Sequence, residues 1–141
     1  MNGPNLNMLG LREPGIYGNL TLADIETRLH REAEKMGVAL DFFTSNHEHA
    51  LIERLRQAAG CADGVVLNAG GYTHTSPALA RAVADAGIPV MEAHISNVHA
   101  REAFRHTSYL SPVCAGVICG LGWRSYLCAL QALCMLGERL A

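Results

Sequence analysis

Lysine is almost absent: Lys35 is the only one in 141 residues. It ends a charged stretch, His30-Arg31-Glu32-Ala33-Glu34-Lys35, and reads as a solvated side chain. A Schiff-base enzyme needs a lysine desolvated in a pocket, so that chemistry has no evident nucleophile here. Other absences narrow the field further. No Cys-x-x-Cys pair occurs among Cys61, Cys114, Cys119, Cys128 and Cys134. Their number is odd and four lie in apolar segments, which predicts buried free thiols in a reducing, cytoplasmic compartment, not disulfides or a Cys-based zinc site. No Gly-x-Gly-x-x-Gly leads from a strand into a helix, so no dinucleotide cofactor is expected; the glycines of Gly116–Gly122 have the wrong spacing. No apolar run reaches the ~18 residues that span a bilayer. The net charge of −2 comes with no basic run, which argues against nucleic acid or a membrane surface as partner. Met1-Asn2-Gly3-Pro4-Asn5 has neither the charged nor the apolar region of a signal peptide.

What is present is an ordinary globular balance, 50% hydrophobic and 17% charged, fitting one domain over residues 1–141. Thr21 caps a helix with Leu22, Ile25, Leu29, Ala33 and Met36 on one face, stopped by Gly37. Val38–Thr44 is β-prone and reads as a strand. His47–Ala59 is a second helix, and Gly64–Asn68 a continuous apolar strand of the kind found inside a parallel sheet. Pro77–Ala86 is a helix with proline near its start. Pro89–His94 and Val113–Cys119 read as strands, and Trp123–Leu140 as a long helix. This alternation predicts a doubly wound α/β domain: a parallel sheet with helices on both faces. Such a sheet ordinarily begins with a strand, yet only Met1 precedes the turn-rich Asn2–Asn7. Either the start lies upstream or the sheet lacks a strand.

Ligands of doubly wound sheets bind beyond the carboxyl ends of the strands, and there the polar residues gather. Asn68-Ala69-Gly70-Gly71-Tyr72-Thr73-His74 follows one strand, and Glu92-Ala93-His94-Ile95-Ser96-Asn97 ends the next. Glu92 and His94 share a strand face, and two such side chains turned inward must be paired or used. Asn2–Asn7 reads as a loop that could offer amides to a polar ligand or an oxyanion. Arg12–Gly18 reads as a mobile loop, with Pro14 breaking any helix and Gly15 and Gly18 flanking Tyr17. Folded back, Arg12 could stabilise tyrosinate, whose pKa is ordinarily about 10, and make Tyr17 a base. Arg101 and Arg105 stand four apart on one helical face, a solvated basic patch or a pair closing on a carboxylate or hydroxyl-rich ligand.

The same residues admit other readings. His74, Glu92 and His94 have the types of a two-His, one-carboxylate metal triad. A regulatory domain of this fold would want a phosphoacceptor Asp where Asn68 stands. A catalytically dead relative of an enzyme is a further alternative.

Taken together, the segments NGPNLN (Asn2–Asn7), REPGIYG (Arg12–Gly18), LNAGGYTHTS (Leu67–Ser76), EAHISNVHAREAFR (Glu92–Arg105), HTSYLSP (His106–Pro112) and GVICGLG (Gly116–Gly122) with Tyr126 resemble the type II 3-dehydroquinate dehydratases. They stand in that family's order and cover nearly the whole chain. The resemblance implies a flavodoxin-like fold, a dodecamer built from trimers, and anti elimination of water from 3-dehydroquinate through an enolate, with no metal or other cofactor. That reaction serves both aromatic biosynthesis along the shikimate route and quinate breakdown. Carried over by position, Tyr17 is the base, Arg12 keeps it ionised, Asn5 stabilises the enolate through a water, and His94 protonates the departing hydroxyl, oriented by neighbours including Asn68. The Ile95 and Ser96 amides bind the substrate carboxylate. His74 and Arg105 hold ring hydroxyls, with Glu92 orienting His74. Gly70 and Gly71 complete the substrate site, and Arg101 stands near the closing loop. The chain departs from the family by lacking the apolar strand before NGPNLN and by carrying Arg81 where an Asp usually reaches a neighbouring subunit. Asp85, one turn on, is an i,i+4 partner for Arg81.

Overall fold

The structure is a computed structural model and describes residues 1–140. Three strands, β1 (Val65–Leu67), β2 (Val90–His94) and β3 (Gly116–Cys119), pair in parallel in the order β1-β2-β3. The registers run Val65↔Val90 through Leu67↔Glu92 and Met91↔Gly116 through His94↔Cys119. Every residue of the central strand β2 is buried, as its run of Val, Met and Ala requires of a strand covered on both faces.

A one-turn helix α1 (Pro14–Tyr17) precedes α2 (Leu22–Met36), α3 (Glu48–Ala58), α4 (Pro77–Asp85) and α5 (Arg124–Leu140). Helix α2 opens with a capping box: Thr21 Oγ1 accepts from the Asp24 amide, and the Thr21 amide donates back to Asp24. Its buried stripe is Ile25, Leu29 and Ala33, and Gly37 closes it in the left-handed region. Helices α3 and α4 cover one sheet face through Leu51, Leu55, Leu79 and Val83. Helices α2 and α5 cover the other, where Ile25, Leu29, Tyr126 and Ala129 meet Met91, Ala93 and Ile95. The doubly wound arrangement predicted from the alternation is therefore the one adopted.

Three expectations are corrected. Pro14 does not prevent a helix: it occupies the first position of α1, where its missing N–H breaks no bond. The cysteines are free, but Cys61 is exposed and the other four are half-buried. Val38–Thr44 forms no ladder; only Thr44 bridges, to Asn2. The reason lies in the spacing. Asn2 bridges in parallel to both Thr44 and Asn68, so the segments leading to those two partners stand two strand spacings apart, about 9.5 Å. Between them runs an apolar trough of about 1240 Å³, lined by Leu40, Phe42, Val66, Leu130 and Leu133 among others. The Met1 amine closes its end, donating to the Val66 carbonyl at 2.8 Å; burial pulls its pKa down to about 6.

Candidate active site

The carboxyl ends of β1 and β2 carry the polar residues, and the chain around Asn2 locks the first of them. The Gly3 amide donates to Asn68 O at 2.7 Å, and the Asn68 amide to Met1 O at 3.0 Å. So close is this approach that a Cβ on Gly3 would meet the Ala69 carbonyl oxygen at 2.4 Å. Asn5 follows, exposed and left-handed at φ 65°, a conformation asparagine tolerates; its amide donates to Asn46 Oδ1. The Asn68 side chain is buried. Its Oδ1 accepts from the Gly70 amide, and its Nδ2 donates to Tyr126 Oη at 2.8 Å. Tyr126 in turn donates to Asn2 Oδ1 at 2.7 Å. Burial pushes the Tyr126 phenol well above its ordinary value, so it stays neutral and serves both amides.

At the end of β2, Glu92 is 1% exposed. Burial, the largest influence, would raise its pKa, but hydrogen bonds from His94, Ser111 and Ser108 more than reverse it and hold the carboxyl below the ordinary 4.5. His94 Nε2 lies 2.6 Å from Glu92 Oε1. His74 stacks toward His94 with ring centroids 6.4 Å apart, but its Nδ1 donates to the Thr107 carbonyl at 2.7 Å. Glu92 thus orients His94, and the expected Glu92–His74 contact is not made. Nor does Asn68 hydrogen-bond to His94: its side chain is held by the Gly70 amide and Tyr126 Oη instead.

Beyond His94 the chain bends, and the Ile95 and Ser96 amides have no backbone acceptor among the described residues. Val98–Ala100 and Ala103–His106 form two 3-10 turns with Arg101 extended between them. The two arginines therefore share no helical face. Arg101 swings to Tyr17: its guanidinium donates to the phenol oxygen at 2.8 Å and to Ser96 Oγ at 3.2 Å, and sits over the Tyr17 ring. Arg105 pairs with Glu102 at 2.6 Å and lies over Phe104. Arg12 does not reach Tyr17. Glu13 turns the chain at φ 41°, α1 carries Tyr17 inward, and Arg12 stays outside, 3.8 Å from Glu13. A cleft of about 330 Å³ lies between α1 and the ends of β2 and β3, lined by Tyr17, Ile95, Ser96, Arg101 and Gly120. It is smaller than the apolar trough, and it brings the Tyr17 phenol and the Arg101 guanidinium against the turn that follows β2.

A family model described as Dehydroquinase class II matches residues 1–134. The chain belongs to that family. A 3-dehydroquinate dehydratase of Synechococcus sp. is 58% identical over 133 residues, covering 94% of this chain and 91% of the relative. One from Methylococcus capsulatus is 56% identical over 140 residues, covering 99% and 95%. The crystal structure of the type II dehydroquinase from Butyrivibrio crossotus superposes with a TM-score of 0.92 at 42% identity, over 94% of this chain and 92% of that one. The flavodoxin-like fold expected of the family is the fold of this class II dehydroquinase.

Sequence reasoning singled out most of the polar residues at these strand ends but missed their supports. Ser108, Ser111, Asn2 and Tyr126 stand inside the quoted motifs with no individual role expected of their side chains, and Asn46 stands in none of them. A signal existed: Tyr126 is a polar side chain in a mostly apolar helix, and a buried phenol needs partners. Arg81 is exposed and pairs with Asp85 at 2.9 Å, as its spacing predicted. Replacing Tyr126 by Phe strands two buried amides. It is expected to cost about 1–3 kcal/mol of stability, read from the urea midpoint; an unchanged midpoint would deny the network any structural role.

Proposed function

We propose that this chain dehydrates 3-dehydroquinate to 3-dehydroshikimate by anti elimination through an enolate, with Tyr17 as base and His94 as acid. The observation that carries the reading is the pairing of Arg101 with Tyr17 Oη at 2.8 Å and of Glu92 with His94 at 2.6 Å, around one strand end. An elimination needs a base for the departing proton and an acid for the departing hydroxyl. A guanidinium that donates to a phenol oxygen favours its ionised form, and here Arg101 takes the role expected of Arg12.

In the proposed sequence the Tyr17 phenolate takes the proton beside the ketone, and its electron pair passes into an enolate. Asn5 stabilises that oxyanion through a water. The enolate then collapses, the C–O bond breaks, and the His94 proton goes to the leaving hydroxyl, which departs as water. The Ile95 and Ser96 amides hold the substrate carboxylate. His74 and Arg105 take ring hydroxyls, and Asn68, Gly70 and Gly71 wall the site. Membership of the family supports the substrate. Exposed Phe104, Val117 and Leu121 are the kind of apolar surface that the family's trimer-built dodecamer would cover.

No imine forms on this route. Lys35 is exposed and paired with Glu32 on α2. Borohydride added during turnover is expected to leave the protein's mass and activity unchanged; a reduced substrate adduct would contradict the proposal.

A further inference from the structure

The turn Thr107–Ser111 has no part in the chemistry above, yet it touches the site at two points. Its position is set in the core, where Leu110 is fully buried in the cluster of Leu51, Leu55 and Leu79. With Leu110 anchored, Ser108 and Ser111 turn their hydroxyls to Glu92. Ser108 Oγ accepts from the amides of Leu110 and Ser111 at 3.0 Å each. Its own hydrogen is left for Glu92 Oε1, at 2.9 Å. Ser111 Oγ lies 2.6 Å from Glu92 Oε2 and is the one side-chain donor to that oxygen among the described residues. The same turn binds the loop after β1, through Tyr109 N to Thr73 O at 2.9 Å and Thr107 O to His74 Nδ1 at 2.7 Å.

We propose that Ser111, seconded by Ser108, is a positioning residue for His94: the two hydroxyls keep Glu92 a carboxylate, turned so that it fixes the His94 ring. The inference rests on the reading of His94 as the acid. A buried carboxyl without donors takes up a proton. With three donors it stays ionised and can only accept, so His94 Nε2 must carry a hydrogen, and Nδ1 is left to exchange a proton with a ligand. The surroundings agree. Cys114, beside Glu92, has its thiol pushed up to about 12 by burial and by the Glu92 charge, so it is neutral and does not compete. Removing the Ser111 hydroxyl strips Oε2 of its donor. The carboxyl then protonates or rotates, and His94 loses its anchor.

The test compares wild type, Ser111→Ala and Ser111→Thr by steady-state kinetics on 3-dehydroquinate and by proton NMR of the free proteins. Ser111→Ala is expected to lower kcat about 5- to 100-fold, the effect of losing one donor to a buried charge, with KM changed less than about twofold. Ser111→Thr keeps the hydroxyl and restores kcat. The downfield signal of the His94 Nε2 proton, assigned by its loss in His94→Gln, persists in the threonine variant and shifts or vanishes in the alanine one. If the alanine variant does not fold, Ser111→Cys, with a weaker donor, carries the same expectation. An unchanged kcat, an effect on KM alone, a threonine variant as slow as alanine, or an unmoved NMR signal each overturns the proposal. Should wild type itself make no product, the proposed reaction fails, and the NMR comparison decides the positioning role alone.

Discussion

Tyr17→Phe is expected to lower kcat by about 10²–10⁴-fold, the usual worth of one general base, with KM little changed. The phenol oxygen is the one atom lost. Its ring, half-buried on α1 under the Arg101 guanidinium, is kept. Arg101 keeps its second bond, to Ser96 Oγ, so the wall of the cleft should persist in the variant. The fall in kcat would then report the missing base and not a collapsed loop. A variant that retains more than about a tenth of wild-type kcat would remove Tyr17 from the chemistry. A variant that loses substrate affinity instead would recast Tyr17 as a binding residue, since an unchanged kcat with raised KM marks uniform binding.

The second large effect is expected at the other end of the elimination. His94→Ala should lower kcat by a similar ~10²–10⁴-fold, but by blocking a different step. The base is intact, so the variant should still take the proton beside the ketone and return one from solvent. In deuterium oxide, His94→Ala is expected to wash deuterium into that carbon faster than the uncatalysed rate, while Tyr17→Phe does not. Proton NMR of recovered substrate reads both. Exchange lost in both variants, or retained in Tyr17→Phe, would break the division of labour between base and acid.

How far the sequence reached depended on whether an element was specified locally. Helix α2 was legible in full because Thr21, Asp24, the Ile25-Leu29-Ala33 stripe and Gly37 all act within its own span. Strand β2 was legible because its apolar run has one consistent environment, buried on both faces. Val38–Thr44 misled because β propensity says nothing about a partner, and the segment meets one only at Thr44. At the site the same division holds. Strand periodicity puts Glu92 and His94 on one face, two residues apart, but it does not say which histidine Glu92 orients; His74 is the expectation and His94 the finding. The contact of Arg101 with Tyr17 spans 84 residues, and no local pattern encodes it; proximity in sequence favoured Arg12 instead. The Ser108 and Ser111 hydroxyls were invisible for a related reason. They act on Glu92 only because Leu110 is seated in the core, and that seat is a property of the folded sheet and helices.

The most direct measurement is ultraviolet absorbance on mixing the purified protein with 3-dehydroquinate, with and without a chelator, beside Tyr17→Phe. The account predicts a steady rise from the conjugated product, the same in chelator and about 10²–10⁴-fold slower in the variant. No rise from folded wild-type protein, or a rise that Tyr17→Phe leaves intact, would contradict it.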